Sequence, residues 1–297
     1  MFDIISSNPL RIKIPFVLDV VMVSEPEQIR QIEASGDVDR LHVYDTQSLP
    51  WWVKSYFRAT KFHDAARDLW FCPFESSSNP TYQPRLNYLK SKLESGYTQA
   101  DVKTIAQLLQ QDADDESLSQ AMVQVVNRRF FDQEIPLSIT QSAKHTVQEI
   151  TEAIQPWQYS KGEKAQKQIM NYCEQNLPPD VHILDVGHNI GEVVQATTGA
   201  LRKLKANLDK SVEEIFTTHP PTPQSPRIAV EKSTFNGLLS SPTTPGTTVV
   251  IYKVGSAATK SQDILFTFGA GSEERVCVFK EFFLQFMRDL QRELSQN

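Results

Sequence analysis

The chain has 297 residues, 40% of them hydrophobic, with a formal net charge of −6. That length supports one large domain or two ordinary ones. The acidic balance, with no basic block, excludes a general nucleic-acid binder. Cys72, Cys173 and Cys277 are far apart and form no C-x-x-C pair. This spacing points away from a disulfide framework or structural zinc site and toward a reducing, cytoplasmic setting. The N-terminus lacks the basic and long apolar segments of a signal peptide. The longest apolar stretch, near Ile14–Val23, is broken by Pro15 and Asp19 and is too short to span a membrane.

In chain order, Ile12–Ile14 and Val17–Val23 read as short strands rich in Ile and Val. Ser24-Glu-Pro-Glu27 reads as a capping box with Pro26 in the first helical turn. That helix runs to Ser35 and ends at Gly36. Pro50–Phe57, with Trp51 and Trp52, reads as another helical start, and Asp64–Phe71 as a short amphipathic turn or helix. Ser76–Pro84 reads as a loop. From Arg85 to Leu177 the pattern is helical almost throughout. Thr98 and Asp101 cap one segment. Leu118, Met122, Val125, Val126 and Phe130 form one apolar stripe, and Val147, Ile150 and Ile154 another.

Pro178-Pro179 opens the longest helix, at positions 180–208. Ile183, Val186, Ile190, Val193, Thr197, Leu201, Leu204 and Leu208 recur at spacings of 3 or 4. Gly187, Gly191 and Gly199 lie inside it. Interior glycine costs about 1 kcal/mol against alanine, so the three imply close approach of a neighbouring helix or a flat ligand. Six of the 17 prolines fall between Thr217 and Thr248. Ile228–Val230 and Thr247–Tyr252 read as strands of a small β region.

The chain then turns through Phe268-Gly-Ala-Gly-Ser-Glu-Glu-Arg-Val-Cys277. Phe279, Phe282, Phe283, Phe286, Met287, Leu290 and Leu294 follow as one helical stripe. A cysteine at the mouth of that helix meets free N–H groups and the positive end of the macrodipole, which favour a thiolate able to ligate a metal or haem iron. A small buried hydrophobe at a loop-to-helix junction is the other reading. His188 and Glu192, one turn apart, read either as two metal ligands or as a solvated i,i+4 pair. There is no nucleophile elbow, P-loop or dinucleotide fingerprint.

Four features occur in a fixed order. They are the glycine-interrupted helix; Val212-Glu-Glu214-Ile-Phe-Thr217-Thr-His-Pro-Pro221; Pro226-Arg227 followed by Pro245-Gly-Thr-Thr-Val249; and Phe268 to Cys277. This order resembles the second half of a cytochrome P450. The resemblance covers Leu177–Leu294 best and Ile12–Ser35 loosely. It implies a mainly α fold with a small β region, a truncated P450-like helical fold, as a single domain over 1–297. Its parts would be N-terminal strands and helix at 12–50, a helical body at 85–210, and the β region, cysteine loop and C-terminal helix at 217–297.

The resemblance further implies haem b, with Cys277 as the ligand to its iron and Arg227 and Arg275 near its propionates. Phe268 would stand beside the thiolate, and Gly187 and Gly191 over the haem. The sequence departs from the family pattern at several places. Thr217 stands where Glu-x-x-Arg would have its arginine. Asn189 and Ile190 replace the acid and Thr that relay protons to bound oxygen. Two extra residues separate Gly271 from Cys277, and Phe279 replaces a small residue. Some relatives rearrange fatty-acid hydroperoxides without external electrons and place an Asn on the central helix. By that likeness Asn189, with His188 beside it, is the catalytic candidate. The implied partners are a small apolar, fatty-acid-like substrate and an electron-transfer partner, with monooxygenase, oxidoreductase or peroxide chemistry. A non-catalytic scaffold of the same fold is the alternative.

Overall fold

The computed structural model describes residues 3–5, 9–14, 18–40, 42–43, 62–64, 69–71, 82–144, 159–179, 181, 183–221, 224–271 and 276–296. Strands β1 (Asp3–Ile5), β2 (Leu10–Ile14) and β3 (Leu18–Val23) lead into helix α1 (Pro26–Ser35). Strands β4 (Val38–Arg40), β5 (His42–Val43), β6 (Phe62–Asp64) and β7 (Leu69–Phe71) follow. The helical part holds α2 (Tyr82–Glu94), α3 (Gln99–Gln110), α4 (Asp115–Phe131), α5 (Leu137–Lys144), α6 (Tyr159–Asn176) and α7 (Ile183–Lys205). Last come α8 (Val212–Thr218), β8 (Ser225–Ala229), β9 (Thr248–Tyr252), α9 (Val254–Ser261) and α10 (Lys280–Ser295). These pack as two compact units, one of Met1–Pro50 with Glu213–Cys277, the other of Trp51–Val212 with Val278–Asn297.

The first unit is built on a six-stranded sheet in the order β1-β2-β3-β9-β8-β4. Every pairing is antiparallel except β3 with β9. Along β9, buried Thr248, Val250 and Tyr252 alternate with half-buried Val249 and Ile251, the period-2 pattern of a strand with one covered face. Ile29 and Ile32 of α1, Ala257 and Ala258 of α9, Phe235 and Phe266 join Val21, Val23 and Val250 in one core. Arg11 and Asp19 are buried in the β2–β3 pair, with the guanidinium fork on both carboxylate oxygens at 2.8 and 2.5 Å. The same arginine donates to the carbonyls of Ser241 and Pro242, and Thr248 Oγ1 donates to Asp19. Removed from water, this ion pair is held by satisfying nearly every donor and lone pair around it.

Between β8 and β9 the chain makes a turn with three successive left-handed residues, Phe235 (φ 51), Asn236 (φ 56) and Gly237 (φ 85). Left-handed backbone is unfavourable for an aromatic residue, yet the Phe235 side chain is only 1% exposed. Burial of that ring and the local hydrogen bonds outweigh the strain. Phe235 N–H donates to Ser233 Oγ, Leu239 N–H to Thr234 O, and the Gln31 amide to Phe235 O.

In the second unit, α4 packs against α7, α5 against α6 and α7, and α10 against α3. The stripe Leu118, Met122, Val125, Val126 and Phe130 is buried as its spacing predicts. Ser119 and Thr198 satisfy each other where α4 meets α7, their hydroxyls 2.7 Å apart. Thr98 caps α3 in a full capping box with Asp101.

Several expectations need correction. Helix α1 starts one position later than a Ser24–Glu27 box requires, with Glu25 as its N-cap and no side-chain capping bond from Glu25; Gly36 (φ 73) ends the helix as expected. Asp64–Phe71 is not a helix or turn alone, because β6 and β7 pair antiparallel with His63 opposite Trp70. Pro84 lies inside the first turn of α2, where a missing N–H costs nothing. Gly199 is exposed, and a Cβ there would meet nothing within 4 Å among the described residues, so no described helix needs a glycine there. The expected helical start at Pro50–Phe57 and the Val147–Ile154 stripe lie outside the described residues.

Candidate functional site

In the first unit, the elements carrying the motifs after the long helix are joined through Phe216, Phe268 and Cys277. α8 buries Ile215, Phe216 and Thr217 and exposes Glu214. Thr217 spends its hydroxyl on the Glu214 carbonyl at 3.1 Å, and its own carbonyl accepts from Thr259 at 3.1 Å. The next link is Thr267, whose hydroxyl donates to the Phe216 carbonyl at 3.0 Å. The rings of Phe216 and Phe268 meet edge-to-face at 6.2 Å. Cys277 N–H then donates to the Phe268 carbonyl at 2.6 Å, drawing the two ends of the loop together.

Within this loop Gly271 (φ 76) adopts a backbone open to glycine and packs on the Phe266 ring. Cys277 is half-buried, and neither it nor the fully buried Cys173 is disulfide-bonded. Its place relative to the next helix differs from expectation. α10 begins at Lys280 with Phe279 as N-cap, so Cys277 stands two positions before the cap, beyond the first turn where the macrodipole acts. Phe279 is that N-cap and is half-buried; the buried stripe begins at Phe282.

Arg227 lies on β8 opposite Val250 of β9. Its side chain is 6% exposed and is paired with Glu33 of α1, itself 4% exposed, at 2.6 Å from Nε to Oε1. Nη1 donates to Ser225 Oγ at 2.7 Å, and the guanidinium lies 5.3 Å from the centroid of the Tyr252 ring. Sequence reasoning missed Glu33. Its signal is a carboxylate four residues after Ile29 on the covered stripe of α1, a position that demands a buried cation.

In the second unit, α7 buries Val186 and Ile190, as its spacing predicts, and Gly187 is buried beside them. His188, Asn189, Gly191 and Glu192 lie on the same helix, and their side chains fall outside the described set, as does Arg275 of the cysteine loop. Among the described residues no three His, Cys, Asp or Glu side chains gather into a metal site. Nor is any helix among them long and apolar enough to cross a membrane.

No protein-family profile matches the chain, and no curated protein matches it in sequence. Solved structures do. CYP175A1 from Thermus thermophilus superposes with a TM-score of 0.59 at 11% identity, over 94% of this chain and 82% of that one. Cytochrome P450SP alpha (CYP152B1), solved with (R)-ibuprofen, gives 0.58 at 11% identity over 93% and 83%. The cyanobacterial CYP120A1, solved with retinoic acid, gives 0.60 at 13% identity over 94% and 82%. The chain therefore has a shortened cytochrome P450-like fold, mainly α with a small mixed sheet.

Proposed function

We propose that this chain is a haem-thiolate protein of cytochrome P450 type, with Cys277 as the axial ligand of haem b iron. The observation that supports it is the Cys277–Phe268 loop: its ends are drawn together by the 2.6 Å backbone bond, on a fold shared with cytochromes P450. The residues fit haem at the thiolate position, where the cysteine is half-buried and outside any disulfide. At the Arg227 position they fit only by exchange, since Glu33 already holds that guanidinium. In this reading Arg275 is the other propionate arginine, Phe268 the aromatic neighbour of the thiolate, and Gly187 and Gly191 the remaining haem-binding positions that the family resemblance implies.

When bound, the haem would supply the redox centre on which oxygen or peroxide chemistry runs. The chain's own residues favour peroxide. Monooxygenation needs a proton relay, and Asn189-Ile190 provides no acid–alcohol pair. The family resemblance gives Asn189 the role of amide donor to a peroxide oxygen, with His188 next to it in sequence. In a hydroperoxide rearrangement the substrate's own O–O bond carries the oxidising equivalents, so no electron donor is consumed. The retinoic acid and (R)-ibuprofen in two structural neighbours are both apolar carboxylic acids. They support an apolar, fatty-acid-like substrate here.

A second reading, a non-catalytic scaffold of the same fold, is favoured by Thr217, whose hydroxyl is absorbed into local bonding where the family carries an arginine. The test is the ferrous–carbon monoxide spectrum of protein expressed with a haem precursor. A thiolate-type Soret band abolished in Cys277→Ala supports the first reading, and a protein that takes up no haem overturns it. Loss of the conjugated-diene absorbance of an added fatty-acid hydroperoxide separates enzyme from scaffold.

A further inference from the structure

Arg227 and Glu33 form a buried ion pair with an incomplete geometry. The guanidinium engages one carboxylate oxygen, through Nε at 2.6 Å. The other, Glu33 Oε2, is buried and accepts no hydrogen bond. A buried ion pair recovers the cost of leaving water only when its geometry is good and the remaining lone pairs are satisfied. An orphaned buried acceptor is left with its desolvation uncompensated, and a two-bond fork on the carboxylate, the strong arrangement for arginine, is not made. The pair also stands in the last turn of α1, which has no basic residue, where the carbonyl end of the helix disfavours negative charge. Glu33 is thus a poorly served carboxylate on an arginine whose planar fork suits carboxylates.

We propose that Glu33 is an internal stand-in for a ligand carboxylate, holding Arg227 in the haem-free chain and giving way when a porphyrin propionate takes its place. This rests on the haem-thiolate reading. Displaced, Glu33 cannot stay ionised and unpaired at 4% exposure. It must take up a proton or reach water, and that cost is subtracted from porphyrin affinity. Removing the charge of Glu33 therefore tightens porphyrin binding, and only while Arg227 is present.

The test uses the full chain and two probes, haemin and iron-free protoporphyrin IX. Both carry the same propionates, and only haemin has an iron for Cys277. Affinities come from absorbance titration, with circular dichroism confirming the fold of each variant. Glu33→Gln is expected to bind both probes about tenfold tighter, the gain when a competitor that occupies the site about 90% of the time is removed. Arg227→Gln is expected to bind both more weakly, and the double variant to match Arg227→Gln alone. Glu33→Asp, too short to span to Nε, is the second variant and is expected to shift affinity the same way.

Unchanged or weakened affinity in folded Glu33 variants overturns the exchange, while a Cys277-dependent Soret band leaves the haem reading standing. Tighter protoporphyrin binding without any thiolate-type haem spectrum supports the exchange and overturns the haem-thiolate reading. A wild-type chain and Glu33 variants that bind neither probe overturn both.

Discussion

A Cβ placed on Gly271 would lie 2.5 Å from Cζ of Phe266, a distance no side chain tolerates. The ring cannot swing aside, because Phe266 is fully buried and Arg30 covers it at 4.9 Å. Gly271→Ala therefore combines a left-handed backbone penalty of about 1–2 kcal/mol with overpacking of about 1–3 kcal/mol. We expect a loss of about 2–5 kcal/mol by urea unfolding. Phe266→Ala added to it is expected to cost less than the sum of the two single changes.

Asp19 is expected to be the most sensitive carboxylate of the sheet. Asp19→Asn leaves the Arg11 guanidinium buried without its counter-charge, which costs about 3–5 kcal/mol. Burial alone would raise the pKa of Asp19, but hydrogen bonds from Arg11 and Thr248 and the charge of Arg11 hold it below the ordinary 3.8. Asp101 is lowered likewise, against its burial, by Thr98 and Arg128. Both bind protons less readily folded than unfolded. The stability they contribute is thus full above about pH 4 and is lost as pH falls through the folded values. Unfolding titrations from pH 6 down to 2 should lose the Asp19 share of this acid-side slope in Asp19→Asn and keep the Asp101 share.

The two described thiols should react differently. Burial, with a smaller contribution from Glu174, pushes Cys173 from 9.0 up to about 12. An unreactive, protonated thiol is expected there, and a modifiable one at half-buried Cys277. In a Cys72→Ser background, a thiol-exchange reagent should label one site rapidly and the second only at the global unfolding rate. The raised value also has a direction. Unfolded Cys173 ionises above about pH 9 while the folded thiol does not, so its contribution is lost as pH rises from about 9 to 12. Cys173→Ala should flatten that alkaline decline.

Asn127 is fully buried in α4, and neither its amide nitrogen nor its oxygen has a hydrogen-bond partner. An unsatisfied buried amide costs about 1–3 kcal/mol. Asn127→Leu, apolar and branched at the same carbon, should raise the thermal midpoint rather than lower it. A fall would place a bonding partner at this amide in solution.

The long helices were legible because their apolar residues recur at 3 and 4 over many turns. Val186, Ile190, Leu201 and Leu204 of α7 are all buried, as are Phe282, Phe286, Met287 and Leu290 of α10. β6 and β7 were not, since three residues such as Phe62-His-Asp64 hold too few apolar positions to declare a period. The start of α1 misled for a local reason. Ser24 is a good capping residue, but the helix begins one position later than that cap requires, with Pro26 at its first turn. Gly199 carries the signature of a close approach, yet among the described residues none comes within 4 Å of a Cβ there.

At the candidate site, the thiol and its glycine hinge could be read from one stretch of chain. The commitment of Arg227 could not. Its partner is 194 residues away, on a helix whose pattern calls for a cation at Glu33 without saying which one. Thr217 likewise reads as a missing arginine in sequence, whereas the fold shows its hydroxyl and carbonyl both engaged.

The left-handed turn between β8 and β9 has a dynamic consequence. A surface connection usually exchanges its amide hydrogens freely, since it opens without disturbing anything else. Here the amide of Leu239 is tied to Thr234, that of Thr243 to Ser233 and that of Ser233 to the Thr243 hydroxyl. Phe235 anchors the middle of the segment in the core. To open, the segment must withdraw that ring, so its amides should exchange with the slow, cooperative rate of the sheet. By chemistry it is a loop; by protection it belongs to the core.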